Sequence, residues 1–117
     1  MDINPHLGLL LIFKNKLAEE AAQSPLDEKL VDRILISNDP MIFSLALCRD
    51  DCPSALLVEL SLSPIEKIRE LVVAHANTPL SVVRQMVNDP NPEIAVAAKN
   101  RLSPGVLIVE QEKFNRH

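Results

Sequence analysis

The sequence predicts an all-helical chain, a short α-solenoid of stacked two-helix repeats with a capping helix at each end. Three observations predict it. Glycine is nearly absent, at two residues, while proline reaches nine. Eight of the nine prolines follow Asn, Ser, Asp or Thr, the residues that cap helix starts. The proline marks recur at intervals of 24 to 26 residues.

Low glycine argues against tight hairpins, whose primed turns need positive φ. A capping residue followed by proline reads as N-cap and first helical position, because proline lacks the N–H that would have no partner there. Asn4-Pro5 opens the first predicted helix, near 5–22, whose stripe is Leu10, Phe13, Leu17, Ala18 and Ala21. Ser24-Pro25 opens a helix near 25–37, and Asp39-Pro40 one near 40–49. Cys52-Pro53 opens 53–62, with Leu56, Leu57 and Leu60 turned inward. Ser63-Pro64-Ile65-Glu66 fits a capping box and opens 64–76, with Ile65, Ile68, Leu71, Val72 and His75 as its stripe. Thr78-Pro79 opens 79–88, with Val82, Val83, Met86 and Val87. Asn91-Pro92 opens 92–102 and Ser103-Pro104 opens 104–114. Helices this short are marginal alone and must lean on neighbours.

The punctuation is periodic. Pro53 and Pro79 are 26 apart, as are Pro64 and Pro90, whereas Pro40 to Pro64 is 24 and Pro79 to Pro104 is 25. Asn38-Asp39-Pro40 recurs as Asn88-Asp89-Pro90. A fixed period of this size is the mark of a solenoid, in which neighbouring units share one core. The expected organisation is one domain over 1–117. It comprises an N-terminal capping helix in 1–24, a degenerate half repeat in 25–39, about three repeats over 40–106, and a C-terminal cap and tail over 104–117.

The stretch from Ile65-Glu66-Lys67-Ile68-Arg69 through Asn77-Thr78-Pro79 to Asp89-Pro90 resembles the leucine-rich repeat variant family, whose units are similar to HEAT repeats. Ile68-Arg69 stands where that family has a Val-Arg pair, Asn77-Thr78-Pro79 at its turn and Asp89-Pro90 at its close. The resemblance is sharp over 64–90 and loose over 40–63 and 91–106. It implies a regular helix paired with a short one that is often 3₁₀-like. Some members carry an iron–sulfur module held by clustered cysteines. With only Cys48 and Cys52 in this chain, that cofactor is not carried over, and no cofactor is expected.

Composition narrows the function classes. The chain has 117 residues, 47% of them hydrophobic, with three Phe and no Tyr or Trp, so its core must be aliphatic. The net charge of −4 is spread out, without the clustered basic residues that neutralise phosphates. The apolar run Leu7–Phe13 is far below the roughly 20 residues that span a bilayer, and it lacks the basic start of a signal peptide. Two cysteines make no disulfide scaffold, and a cytoplasmic setting is expected.

Few residues suggest chemistry. Cys48 and Cys52, four apart with Asp50 and Asp51 between them, are weak metal candidates, since a structural zinc site wants four ligands. The plainer expectation buries Cys48 as a small apolar residue and has Cys52 stand in for a cap before Pro53. His75 falls in a last helical turn, where a protonated ring would complement the helix end. Arg69, Arg84 and Arg101 recur at intervals of 15 and 17, and read as a ladder bonding aspartates (Asp50, Asp51 or Asp89) or helix-end carbonyls. Alternatively Arg69, His75, Arg84 and Arg101 present a line to a partner.

The expected function is therefore a non-catalytic protein–protein interaction or scaffold module. Its partner would be another protein or a second copy, with Leu7, Leu10 and Leu11 as one apolar strip that could pair. The alternative is a HEAT-like module gripping nucleic acid through the arginines, against which the net acidity counts. A third reading, an enzyme or metal protein centred on the two cysteines, has the least support.

Overall fold

The computed structural model describes residues 16–102, and among them every regular element is helical, with no strand. Residues 16–23 form α1. Then follow α2 (Glu28–Ser37), α3 (Pro40–Leu47), α4 (Ser54–Leu60), α5 (Glu66–Ala74), α6 (Leu80–Met86) and α7 (Pro92–Leu102). The N-terminal cap over 5–22 is thus described only from 16, and the C-terminal helix over 104–114 lies outside the described residues.

The helix starts share one interval. α2, α4 and α6 begin at 28, 54 and 80, and α3, α5 and α7 at 40, 66 and 92, each step being 26 residues. The buried positions keep the same step. Leu30, Leu56 and Val82 correspond, as do Val31, Leu57 and Val83, then Ile34, Leu60 and Met86. On the other set Ile42, Ile68 and Ile94 correspond, as do Ala46, Val72 and Ala98. In each of α2, α4 and α6 the inward residues fall at i, i+1 and i+4, one face of a 3.6-residue helix. α2 packs on α3, α4 on α5 and α6 on α7, while α3 packs on α5 and α5 on α7. All of these side chains belong to one continuous aliphatic core that also takes in Ala21, Phe43, Leu47, Cys52 and Val73.

Local chemistry places the boundaries, and several differ from the sequence expectation. Asp39 caps α3 through Oδ1, 3.0 Å from the Met41 N–H, with Pro40 at the first helical position as expected. Asn91 does the same for Glu93, at 2.9 Å, with Pro92 opening α7. Elsewhere the proline stands earlier. Asp27, not Ser24, caps α2, accepting from the Leu30 N–H at 2.8 Å. Pro53 and Pro79 are themselves the N-caps of α4 and α6. Ser63 forms no capping box. Its Oγ accepts from the Ile65 N–H at 3.1 Å, and Ile65 is the cap of α5. Asp89 likewise serves the Asn91 N–H, so Asp39-Pro40 corresponds structurally to Asn91-Pro92 and not to Asp89-Pro90. These placements suit proline, which needs only φ near −65° and a position where no helical carbonyl calls for an N–H.

The short helices α4 and α6 are α-helical over all seven residues, where the family resemblance implies a 3₁₀-like element. The Leu57 N–H reaches the Pro53 carbonyl and the Ser61 N–H reaches that of Leu57. Bonds of three-residue span appear only at the ends, as from the Leu56 N–H to Pro53. The α-helical period is what aligns the three inward residues on one face. α2 ends on Asn38, which at φ 48° and ψ 35° is the one non-glycine residue with positive φ among those described, its N–H bonded to the Leu35 carbonyl.

Candidate interaction surface

The sequence-predicted residues fall into different surroundings. Arg69 is turned inward. Its Nε and Nη2 bond the two carboxylate oxygens of Asp89 at 2.8 and 3.1 Å, and Nη1 bonds the Ser63 carbonyl at 2.9 Å. The guanidinium holds Asp89 below the usual carboxylate range. One of the three aspartates foreseen for the ladder is thus the partner.

His75 is the C-cap of α5. The Asn77 N–H donates to its Nδ1 at 3.0 Å, so Nε2 carries the proton and donates to the Arg49 carbonyl at 2.7 Å. A proton on Nδ1 would face the Asn77 N–H, so the two contacts together set the ring's orientation and tautomer. Arg101 donates through Nη1 to the carbonyls of Val73 and His75, at 3.0 and 2.7 Å. Arg84 is exposed and makes no hydrogen bond or ion pair among the described residues. The structure therefore joins His75 to Arg101 but leaves Arg69 and Arg84 out of that link.

The sequence reading missed the member that completes the series. Arg49 donates through Nη1 to the carbonyls of Ala21 and Ser24, at 3.0 and 2.6 Å, and pairs with Asp51 through Nε and Nη2. Positions 49, 75 and 101 are 26 apart, the step of the helix starts, and each side chain bonds backbone carbonyls some 25 to 28 residues earlier. Asn77 adds two bonds of the same kind, from Nδ2 to the carbonyls of Asp50 and Cys52 at 2.7 and 3.1 Å. These donors satisfy carbonyls that the ends of helices leave open. The signal lay in the 26-residue spacing, hidden by the change of residue type to His.

The cysteines exchange their expected places. Cys48 is exposed and Cys52 buried, and both are free thiols. Cys48 falls at the C-cap of α3 and so turns outward. Cys52 occupies the buried position that Thr78 holds one step later, and burial pushes its thiol up to about 11, with Asp51 adding to the rise. Thr78 bonds the Val72 carbonyl at 2.6 Å, whereas the Cys52 sulfur lies 4.0 Å from the Pro53 carbonyl, so Cys52 fills space without capping. Among the described residues no group of three or more His, Cys, Asp or Glu side chains is gathered to hold a metal ion.

Two of the hollows on the surface bear on a site. One of about 530 Å³ lies between the ends of α3 and α5, beside Cys48, Leu71 and Ala74, with Arg49, His75 and Asn77 at its edge. Those three polar side chains are already committed to backbone atoms. The other, of about 480 Å³, is a groove between α2 and α4. Val31, Leu35, Pro53 and Ala55 give it apolar walls, and Glu28, Asp32 and Glu59 stand at its rim. These three carboxylates form no ion pair with any described residue.

Large apolar side chains lie exposed on α2, α4 and α6 and in the turn after α4. Ile36 is 83% exposed and Leu62, one 26-residue step later, 76%, with Val58 and Leu80 also outward. No described helix is long and apolar enough to cross a membrane. No family model, curated protein or solved structure matches this chain.

Proposed function

We propose that the chain is a short α-solenoid of the leucine-rich repeat variant type, and that it works as a non-catalytic protein-interaction module in the cytoplasm. The observation that carries this is the common 26-residue step of helix starts and core positions, coupled with what it leaves outside. Units related by one step present equivalent stripes. Those stripes, on α2, on α4 with the turn after it, and on α6, carry exposed Ile36, Val58, Leu62 and Leu80, and α2 and α4 also form the acid-rimmed groove. A contiguous apolar surface with polar edges is what a protein partner buries.

The residues with catalytic potential support a binding role. Both ring nitrogens of His75 are taken by backbone groups, so that ring is not free for proton transfer. The nucleic-acid reading needs a line of free cations, yet Arg69 and Arg101 are bonded within the chain, which leaves Arg84 alone of the three exposed. Surface variants test the proposal. Val58→Asp and Leu62→Asp should fold as the parent does and lose partners that the parent captures by cross-linking in native lysate. Equal capture by parent and both variants would refute a role for this face.

A further inference from the structure

Of the three equivalent positions 49, 75 and 101, two hold arginine, whose charge is fixed, and the middle one holds histidine. Histidine ordinarily changes charge between pH 5 and 8. At His75 the Asn77 N–H donates to Nδ1 at 3.0 Å, and Nε2 lies 2.7 Å from the Arg49 carbonyl. A backbone N–H only donates and a carbonyl only accepts, so the two bonds together require the singly protonated ring. Nδ1 is the one place for a second proton, and the Asn77 N–H fills it. We propose that His75 is an acid-sensitive latch. It holds the turn 75–78 closed against the turn 49–52 while its ring is neutral, and releases Asn77 when the ring gains a second proton. The latch does not depend on which partner the chain binds.

Release reaches the neighbouring unit through Asn77. The residue whose N–H meets the ring also donates from Nδ2 to the carbonyls of Asp50 and Cys52, at 2.7 and 3.1 Å. A displaced Asn77 takes those two bonds with it. Thr78, next in the chain, is buried and bonded to the Val72 carbonyl, so the far side of the turn stays anchored. The hollow of about 530 Å³ lined by His75, Ala76 and Asn77 gives the turn room to move. The charged and titratable groups around the ring come from two other elements. Cys48, Arg49 and Asp50, after α3, line the same hollow, and Asp51 is paired with Arg49. From α7, Arg101 donates to the His75 carbonyl at 2.7 Å. The α5 residues at the hollow, Leu71 and Ala74, are apolar. Two fixed guanidinium charges oppose a third cation here, and the carboxylates of Asp50 and Asp51 favour it. Whichever prevails, charging the ring costs the Asn77 N–H its acceptor, so the latch opens toward acid.

NMR on the full chain reads both halves of the latch. The ring proton between the two nitrogens reports the charge of His75 from pH 8 to pH 5.5, its signal told from those of His6 and His117 by its loss in His75→Asn. Amide hydrogen exchange, corrected for its intrinsic pH dependence, reports the Asn77 N–H. Protection of Asn77 should fall about tenfold as the ring becomes charged, the scale of one lost hydrogen bond. The Asn38 N–H, bonded to the Leu35 carbonyl at the far end of α2, should keep its protection. In His75→Asn the side-chain oxygen accepts the Asn77 N–H in place of Nδ1 and does not titrate. Protection of Asn77 in that variant should be the same at pH 8 and pH 5.5. His75→Arg, which also lacks the titrating ring, should likewise show no pH dependence there. A ring that becomes charged while Asn77 stays protected, a ring still neutral at pH 5.5, or the same pH dependence in the parent and in His75→Asn would each overturn the proposal.

Discussion

Arg69 and Asp89, twenty residues apart, are locked by a two-pronged contact at 2.8 and 3.1 Å, with side chains only 12% and 5% exposed. The pair ties the start of α5 to the loop after α6, and Asp89 Oδ1 also holds the Asn91 N–H at 2.8 Å. Asp89→Ala or Arg69→Ala should cost about 2–3 kcal/mol, since each strands a largely desolvated charge. Arg69→Lys should not rescue, because a lysine cannot bridge both oxygens. The folded Asp89 titrates below its ordinary value, the hydrogen bonds from Arg69 being the main cause. The unfolded chain therefore binds this proton at higher pH. The stabilisation is complete above the ordinary value of 3.8 and is lost as pH falls through the folded one. Denaturant midpoints measured between pH 7 and pH 2.5 should fall less steeply for Asp89→Asn than for the parent.

Position 75 offers a substitution that only the common step explains. Arginine stands at 49 and 101, where it bonds carbonyls of an earlier turn. His75→Arg should therefore retain most of the stability, within about 1 kcal/mol, while His75→Ala should lose about 1–2 kcal/mol by leaving the Arg49 carbonyl and the Asn77 N–H unserved. Urea denaturation of the two variants distinguishes them.

Asn38 closes α2 in the left-handed region, which asparagine tolerates and glycine favours. Asn38→Gly should be neutral or slightly stabilising. Asn38→Val should cost about 1–2 kcal/mol, because a branched Cβ collides with the backbone at this φ. Thermal melts of the pair provide the check.

The two thiols should react very differently. Cys48 is exposed, whereas Cys52 is buried with its thiol raised to about 11, so it stays protonated at neutral pH. A thiol reagent at pH 8 should label one site quickly and the second only after unfolding. Prompt labelling of Cys52 in the native chain would mean that its region opens readily.

Much of the helical architecture was legible because its causes are local. Apolar spacing marked the inner faces of α4 and α6, and of α5 only in part, since Ile65 is exposed and Val73 is buried in its place, while Asp39-Pro40 and Asn91-Pro92 marked true helix starts. The constant step was blurred because proline stands at different places before its helix. Pro40 and Pro92 are the first helical residues, Pro53 and Pro79 the caps, and Pro64 and Pro90 one place earlier still. The interval between the unlike placements of Pro40 and Pro64 thus falls to 24 although α3 and α5 start 26 apart. The cysteines were exchanged for a related reason. Burial at 52 is set by its equivalence to Thr78, a tertiary property that no neighbouring residue reports. The groove at Glu28, Asp32 and Glu59 depends on how far α2 and α4 stand apart, which spacing along the chain does not encode.

The bonds made by Arg49, His75, Asn77 and Arg101 all point one way, from a later side chain to an earlier carbonyl. A nascent chain leaving the ribosome would thus finish each turn only once roughly two dozen more residues had emerged. Until then the Val73 and His75 carbonyls, for example, would depend on water. Clipping within α7 should accordingly loosen backbone near α5, while the loss of the first helix would cost Arg49 its acceptors but leave the later turns their donors.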